Sequence, residues 1–122
     1  MEGKTILVAE DVSSNYLLLD KLLRKESYHV LHAENGYEAV RMVRTQPADL
    51  VLMDLKMPVM DGLTAIEEIR KFKPDIPIIV LTASVLCSDR EAAFLAGCND
   101  FMTKPFNSML LMETVTKYFG SH

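Results

Sequence analysis

Five times along this chain a short apolar run is followed by an amphipathic stretch, and few folds accept that order. The runs are Thr5-Ile6-Leu7-Val8-Ala9, Val30-Leu31, Leu50-Val51-Leu52-Met53, Ile78-Ile79-Val80-Leu81 and Phe101-Met102. The first, third and fourth are continuously apolar, as suits strands covered on both faces of a parallel sheet. His29, His32, Asp100 and Thr103 interrupt the second and fifth, which therefore read as less buried edge strands.

The intervening stretches carry helical periodicity. Leu18, Leu19, Leu22 and Leu23 follow Ser13 and Ser14, either of which offers an N-cap. Gly36 opens a second helix with Ala39, Val40 and Val43, stopped near Pro47, and Asp61-Gly62 opens a third with Leu63, Ile66 and Ile69. Ser88 or Asp89 caps a fourth carrying Ala92, Ala93 and Leu95 and ended by Gly97. Asn107 or Ser108 caps a fifth with Leu110, Leu111, Val115 and Tyr118. The expected fold is α/β: a doubly wound (βα)5 sandwich around a five-stranded parallel sheet in the order 2-1-3-4-5. A length of 122 residues accommodates one such core.

Composition excludes several functions. The net charge is −4, and no basic cluster exceeds two residues, so direct nucleic-acid binding is not expected. The apolar runs stop at about seven residues, far below the ~20 that cross a bilayer. Met1-Glu2-Gly3-Lys4 is not the start of an export signal. A cytoplasmic location is expected, with Cys87 and Cys98 as free thiols. His29, His32 and His122 have no zinc-ligand spacing with them.

In a 2-1-3-4-5 sheet the strand order reverses between strands 1 and 3, and ligands bind at the carboxyl ends beside that reversal. Glu10-Asp11 follows strand 1, Asp54 follows strand 3, Thr82 ends strand 4 and Lys104-Pro105 follows strand 5. Singly, each has an ordinary explanation: a solvated cap, a turn residue, a satisfied hydroxyl, a surface lysine. Jointly they bring three carboxylates, a hydroxyl and an ammonium to one rim. Crowded carboxylates call for a cation, and oxygen ligands alone favour a hard one, best Mg²⁺. Thr82 and Lys104 suit phosphoryl oxygens, which points to attack of the Asp54 carboxylate on phosphorus.

These residues resemble the receiver domain of two-component response regulators. The resemblance rests on Ile6-Leu7-Val8-Ala9-Glu10-Asp11, on Leu52 through Gly62, on Ile78-Ile79-Val80-Leu81-Thr82-Ala83 and on Asp100 through Phe106. It covers residues 4–119 as one domain of flavodoxin- and CheY-like fold. It implies that Asp54 is the phosphoacceptor, with Mg²⁺ held by Asp11, Asp54, Glu10 and the backbone carbonyl of Lys56. Thr82, Lys104 and the Ala83 N–H would contact the phosphoryl group, and Lys104-Pro105 would be a cis peptide. Thr82 and Phe101 would form the switch that reshapes the face of helix 4, strand 5 and helix 5. Lys56 and Ser84 would tune the phosphoryl lifetime.

The implied partners are a histidine kinase or histidine phosphotransfer domain, with homodimerisation through that same face. Such a domain catalyses only its own phosphorylation and dephosphorylation. The Glu10-Asp11-Val12-Ser13-Ser14-Asn15 start is similar to receivers of hybrid sensor kinases; a free-standing regulator without an output domain fits equally. The competing readings are a pseudo-receiver that only binds, a haloacid-dehalogenase-like phosphatase and a flavodoxin-like carrier. The phosphatase would need an acid where Lys56 stands, and Glu10-Asp11 would repel a flavin phosphate.

Overall fold

The structure, a computed structural model, describes residues 3–120. His122 and the first two residues of the N-terminal tetrapeptide discussed above lie outside that range. Strands β1 (Thr5–Ala9), β2 (His29–Ala33), β3 (Leu50–Met53), β4 (Ile78–Thr82) and β5 (Asp100–Thr103) form one parallel sheet in the order β2-β1-β3-β4-β5. The helices are α1 (Ser13–Lys25), α2 (Gly36–Thr45), α3 (Gly62–Phe72), α4 (Cys87–Ala96) and α5 (Ser108–Tyr118). The expected architecture and strand order are both present.

The period of two along each strand divides the core between the sheet's faces. Leu7, Ala9, Val51, Met53, Ile78 and Val80 pack with residues of α2, α3 and α4. Ile6, Val8, Leu50, Leu52, Ile79 and Leu81 pack with Leu19 and Leu23 of α1 and Leu111 and Val115 of α5. β1, β3 and β4 are therefore covered twice, which explains why their sequences contain no polar alternation. β2 and β5 have a neighbour on one side only and are less buried.

Three helices have side-chain caps, at Asp61 and Asn107 as the sequence reading expected and at Asn35, just before the Gly36 expected to open α2. Asn35 accepts from the Glu38 N–H at 2.8 Å, Asp61 from the Thr64 N–H at 2.9 Å and Asn107 from the Leu110 N–H at 3.0 Å. Two caps differ. Val12, not Ser13 or Ser14, is the N-cap of α1, because the Glu10 carboxylate takes the Val12 N–H at 3.2 Å and turns the chain straight into the helix. At α4 the N-cap is Leu86, and Ser88 and Asp89 lie inside the first turn. Ser84 Oγ accepts the Leu86 N–H there, and the Asp89 carboxylate takes the Ser84 hydroxyl.

Leu18, Leu95 and Leu110, read above as part of buried stripes, are exposed; Leu95 is 89% accessible. Each stands one residue from a position turned to the core, buried Leu19 or Leu111 or partly buried Ala96, and one residue turns a helix by about 100°. No helix among the described residues is long and apolar enough to cross a membrane. Both cysteines are free, Cys87 exposed and Cys98 buried.

Candidate functional site

Asp54 leaves the apolar strand β3 only 8% exposed. Its N–H donates to Ala9 O at 3.1 Å, which continues the β1–β3 ladder one residue further. Its Oδ1 accepts the Lys56 N–H at 3.3 Å. The start of α3 presses against this strand end: the Gly62 N–H donates to Leu55 O at 2.9 Å, and a Cβ on Gly62 would lie 2.1 Å from Asp54 O. Only a glycine permits that approach.

The loop between them contains a three-residue turn in which Met60 N–H donates to Pro58 O at 2.7 Å across Val59. Val59 has φ 68°, a left-handed conformation that costs a β-branched residue on the order of 1–3 kcal/mol. The Gly36 N–H holds the loop in place through Met60 O at 2.8 Å.

Glu10, Asp11 and Asp54 each offer a carboxylate oxygen, and these atoms lie within 4.8 Å of one another. Glu10 is 1% exposed and Asp11 is exposed. The Lys104 ammonium donates to Glu10 Oε1 and lies 3.4 Å from Asp54 Oδ2. Burial raises the Glu10 carboxyl pKa above the usual carboxylate value, against the opposing pull of Lys104 and the Val12 N–H; the Asp54 charge adds to the rise. With all three carboxylates ionised and one ammonium among them, the rim carries two uncompensated negative charges. That charge, all-oxygen donors and one open side fit a hard divalent cation such as Mg²⁺.

Thr82 is fully buried at the end of β4, with Oγ1 accepting the Ser84 N–H at 3.4 Å. Ala83 is exposed beside it. The Lys104–Pro105 peptide bond is cis. Phe101 is half-buried on β5, with the Arg90 guanidinium 5.6 Å from its ring centroid.

Lys56 and Ser84 meet through a residue that the sequence reading treated only as a cap. Asp89 accepts the Ser84 hydroxyl and lies 3.7 Å from Lys56 Nζ, joining the β4–α4 loop to the β3–α3 loop. His32 and Tyr16 also went unassigned, yet their rings stack beside the Glu10 backbone. An edge-strand histidine one residue from the strand's end was the available signal for the first; the sequence gives none for the stack.

Known proteins are similar to this chain in sequence and in fold. The response regulator receiver domain model matches residues 6–116. The sensor histidine kinase GacS of Pseudomonas protegens is 36% identical over 120 residues, covering 94% of this chain and 13% of that protein. Two-component system protein A of Emericella nidulans is 39% identical over 121 residues, covering 97% of this chain and 18% of that protein. The chain thus spans only a small part of these relatives.

Among solved structures, the receiver domain of sensor histidine kinase PA1611 from Pseudomonas aeruginosa superimposes with a TM-score of 0.90 at 39% identity, covering 98% of this chain and 99% of that one. It was crystallised with a magnesium ion coordinated in its active site cleft. The receiver domain of Ssk1 from Saccharomyces cerevisiae, co-crystallised with the histidine phosphotransfer protein Ypd1, has a TM-score of 0.87 at 34% identity, covering 94% of this chain and 88% of that one. From Ile6 in β1 to Thr116 in α5, then, one family pattern accounts for the sequence, the fold agrees with it, and this chain belongs to the response regulator receiver domains of two-component and phosphorelay signalling.

Proposed function

We propose that this receiver accepts a phosphoryl group from a phosphohistidine donor onto Asp54. The observation that carries the proposal is the Asp54 carboxylate at a buried strand end, 3.4 Å from the Lys104 ammonium and within 4.8 Å of two further carboxylates. An Asp54 oxygen attacks phosphorus, the P–N bond breaks and its electron pair stays on the donor imidazole. Lys104 compensates charge on the phosphoryl oxygens, and the Ala83 N–H and Thr82 hydroxyl donate to them. Glu10, Asp11, Asp54 and the Lys56 carbonyl are the residues that would hold Mg²⁺, Glu10 partly through water. When bound, the ion neutralises the carboxylates and the incoming phosphoryl oxygens.

Phosphorylation adds about −1.5 to −2 charge at Asp54. Thr82 then turns toward the phosphoryl group, and Phe101 moves from beneath Arg90 into the space Thr82 leaves. This biases the α4-β5-α5 face, where Leu86, Phe94 and Leu95 are exposed for an effector or a second copy. Lys56 and Ser84, tied through Asp89, govern the approach of the hydrolytic water and so the phosphoryl lifetime. The domain acts in the cytoplasm on its own phosphorylation alone, with residues 4–119 as the working unit.

The donor is a histidine kinase or a phosphotransfer domain, and it reaches Asp54 over α1. A groove of about 170 Å³ lined by Leu18, Leu19, Lys104, Pro105 and Phe106 opens beside the rim, with Val12 and Leu17 exposed nearby. The test is intact mass after incubation with acetyl phosphate and Mg²⁺, and with a phosphohistidine protein, beside Asp54→Asn. Gain of one phosphoryl group by the wild type alone is expected. A folded wild type that gains none from either donor refutes the proposal.

A further inference from the structure

The β1–β2 ladder closes with the Glu10 N–H donating to Ala33 O at 3.0 Å. The next carbonyl, Glu10 O, has a side-chain partner instead: His32 Nε2 stands 2.8 Å away. A carbonyl oxygen has no proton to give, so Nε2 is the protonated nitrogen and the donor. The imidazole is stacked on the Tyr16 ring, with centroids 3.6 Å apart and planes 8° from parallel. Tyr16 is anchored in turn, its hydroxyl 3.2 Å from Asp20 Oδ1, which also accepts from Arg24 Nε at 2.7 Å.

The consequence lies in the peptide unit that links the two acids. Its atoms are coplanar, so fixing Glu10 O fixes the Asp11 N and Cα with it. The ladder bond, made through Glu10 N, holds the preceding Ala9–Glu10 unit, and His32, through Glu10 O, holds this one. We infer that His32, held face to face against Tyr16, is a positioning residue that sets the Glu10–Asp11 peptide plane and so aims the Asp11 carboxylate into the cation site. This rests on the reading of Glu10, Asp11 and Asp54 as a cation-holding cluster. It assigns a role to two residues that touch neither cation nor phosphoryl group.

The test separates the hydrogen bond from the stack. His32→Phe keeps an aromatic ring against Tyr16 and removes the donor. His32→Gln places an amide N–H near the position of Nε2 and removes the ring. Tyr16→Phe keeps the stack and is the control. For each variant, urea unfolding checks the fold, calorimetry with Mg²⁺ gives cation affinity, and amide exchange without cation reports on Asp11 and Val12.

The phosphorylation rate from acetyl phosphate is also measured at limiting and saturating Mg²⁺. His32→Phe is expected to weaken cation binding roughly 10-fold, the low end for a residue that orients a ligand from behind. It should speed Asp11 amide exchange and slow phosphorylation at limiting Mg²⁺ while sparing the saturated rate. His32→Gln should recover most of the affinity, and Tyr16→Phe should match the wild type.

Equal affinity and exchange in wild type and His32→Phe would overturn the proposal. So would parallel losses in both His32 variants that merely track stability. A wild type that takes up no cation would instead sink the reading of the acidic cluster, and this inference with it.

Discussion

Replacing Gly62 by alanine tests how α3 sets the height of Asp54, the proposed phosphoacceptor. The added Cβ would stand 2.1 Å from Asp54 O and 2.9 Å from Leu55 Cα. Both obstacles are backbone, so no side chain can swing aside. An ordinary contact returns only when the helix start and the β3 end separate by more than about 1 Å, a strain of the kind that costs about 1–3 kcal/mol in a packed interior. The Gly62 N–H bond to Leu55 O weakens with the same movement. Gly62 does not have a left-handed φ, so the penalty is steric and not conformational.

Two readouts should follow from Gly62→Ala. Urea unfolding should show the loss directly, and melting should fall by roughly 3–6 °C for each kcal/mol lost in a chain of this length. Phosphorylation of Asp54 from acetyl phosphate should slow more than stability explains, because misplacing a reacting group by about 1 Å costs on the order of 100-fold. Both are measured at a temperature where the variant is fully folded, with Mg²⁺ saturating. A variant within about 0.5 kcal/mol of wild type, phosphorylated at an unchanged rate, would show that this close approach does not position Asp54.

Leu18→Ala should slow transfer from a phosphohistidine protein about 10-fold while acetyl phosphate labels Asp54 as before, since only the first route uses the α1 groove; equal loss by both routes would place Leu18 in the fold instead. The Tyr28 hydroxyl is buried with no hydrogen-bond partner among the described residues, so Tyr28→Phe should leave stability unchanged or raise it, and a loss above about 1 kcal/mol in urea unfolding would reveal a partner. Burial, with Asp100 adding, pushes the Cys98 thiol up to about 11, so a maleimide at pH 8 should label Cys87 rapidly and Cys98 only as fast as the protein opens. Because the folded value exceeds the unfolded one, the native state keeps this proton longer. Cys98 should therefore lose its stabilising share between about pH 9 and 11, and Cys98→Ala should reduce that alkaline decline in urea titrations.

The strands were legible because their environment leaves a mark on every residue. A strand buried on both faces cannot carry a polar side chain in its interior, so Leu50 to Met53 announces itself. The rim was legible for the opposite reason: Asp54 is charged where the preceding residues forbid charge. Helix starts were less so. Ser13, Ser14 and Ser88 have the chemistry of a cap, but Glu10 and Ser84 accept the N–H of Val12 and Leu86, and the helices begin from those two residues with the serines already inside the first turn.

The α1 and α5 stripes were drawn too wide because adjacent leucines, Leu18 and Leu19 or Leu110 and Leu111, are alike in composition and face different ways. The Asp89 link and the Tyr16–His32 stack were not legible at all. Each joins loops or elements whose separation in space depends on helix length and sheet twist, which spacing along the chain does not encode.

The ion pair between Lys104 and Glu10 spans 94 residues. It joins the loop after the first strand to the loop after the last, across β3 and β4. During synthesis, Glu10, Asp11 and Asp54 leave the ribosome before their counter-charge does. Until β5 has emerged and docked against β4, the rim is three acids with no ammonium among them, a poor receptor for an anionic phosphoryl group. On the proposed function, the accepting rim is thus complete only once β5 and Lys104 are in place, and a chain that has not reached them would be deaf to its donor without any separate device to silence it.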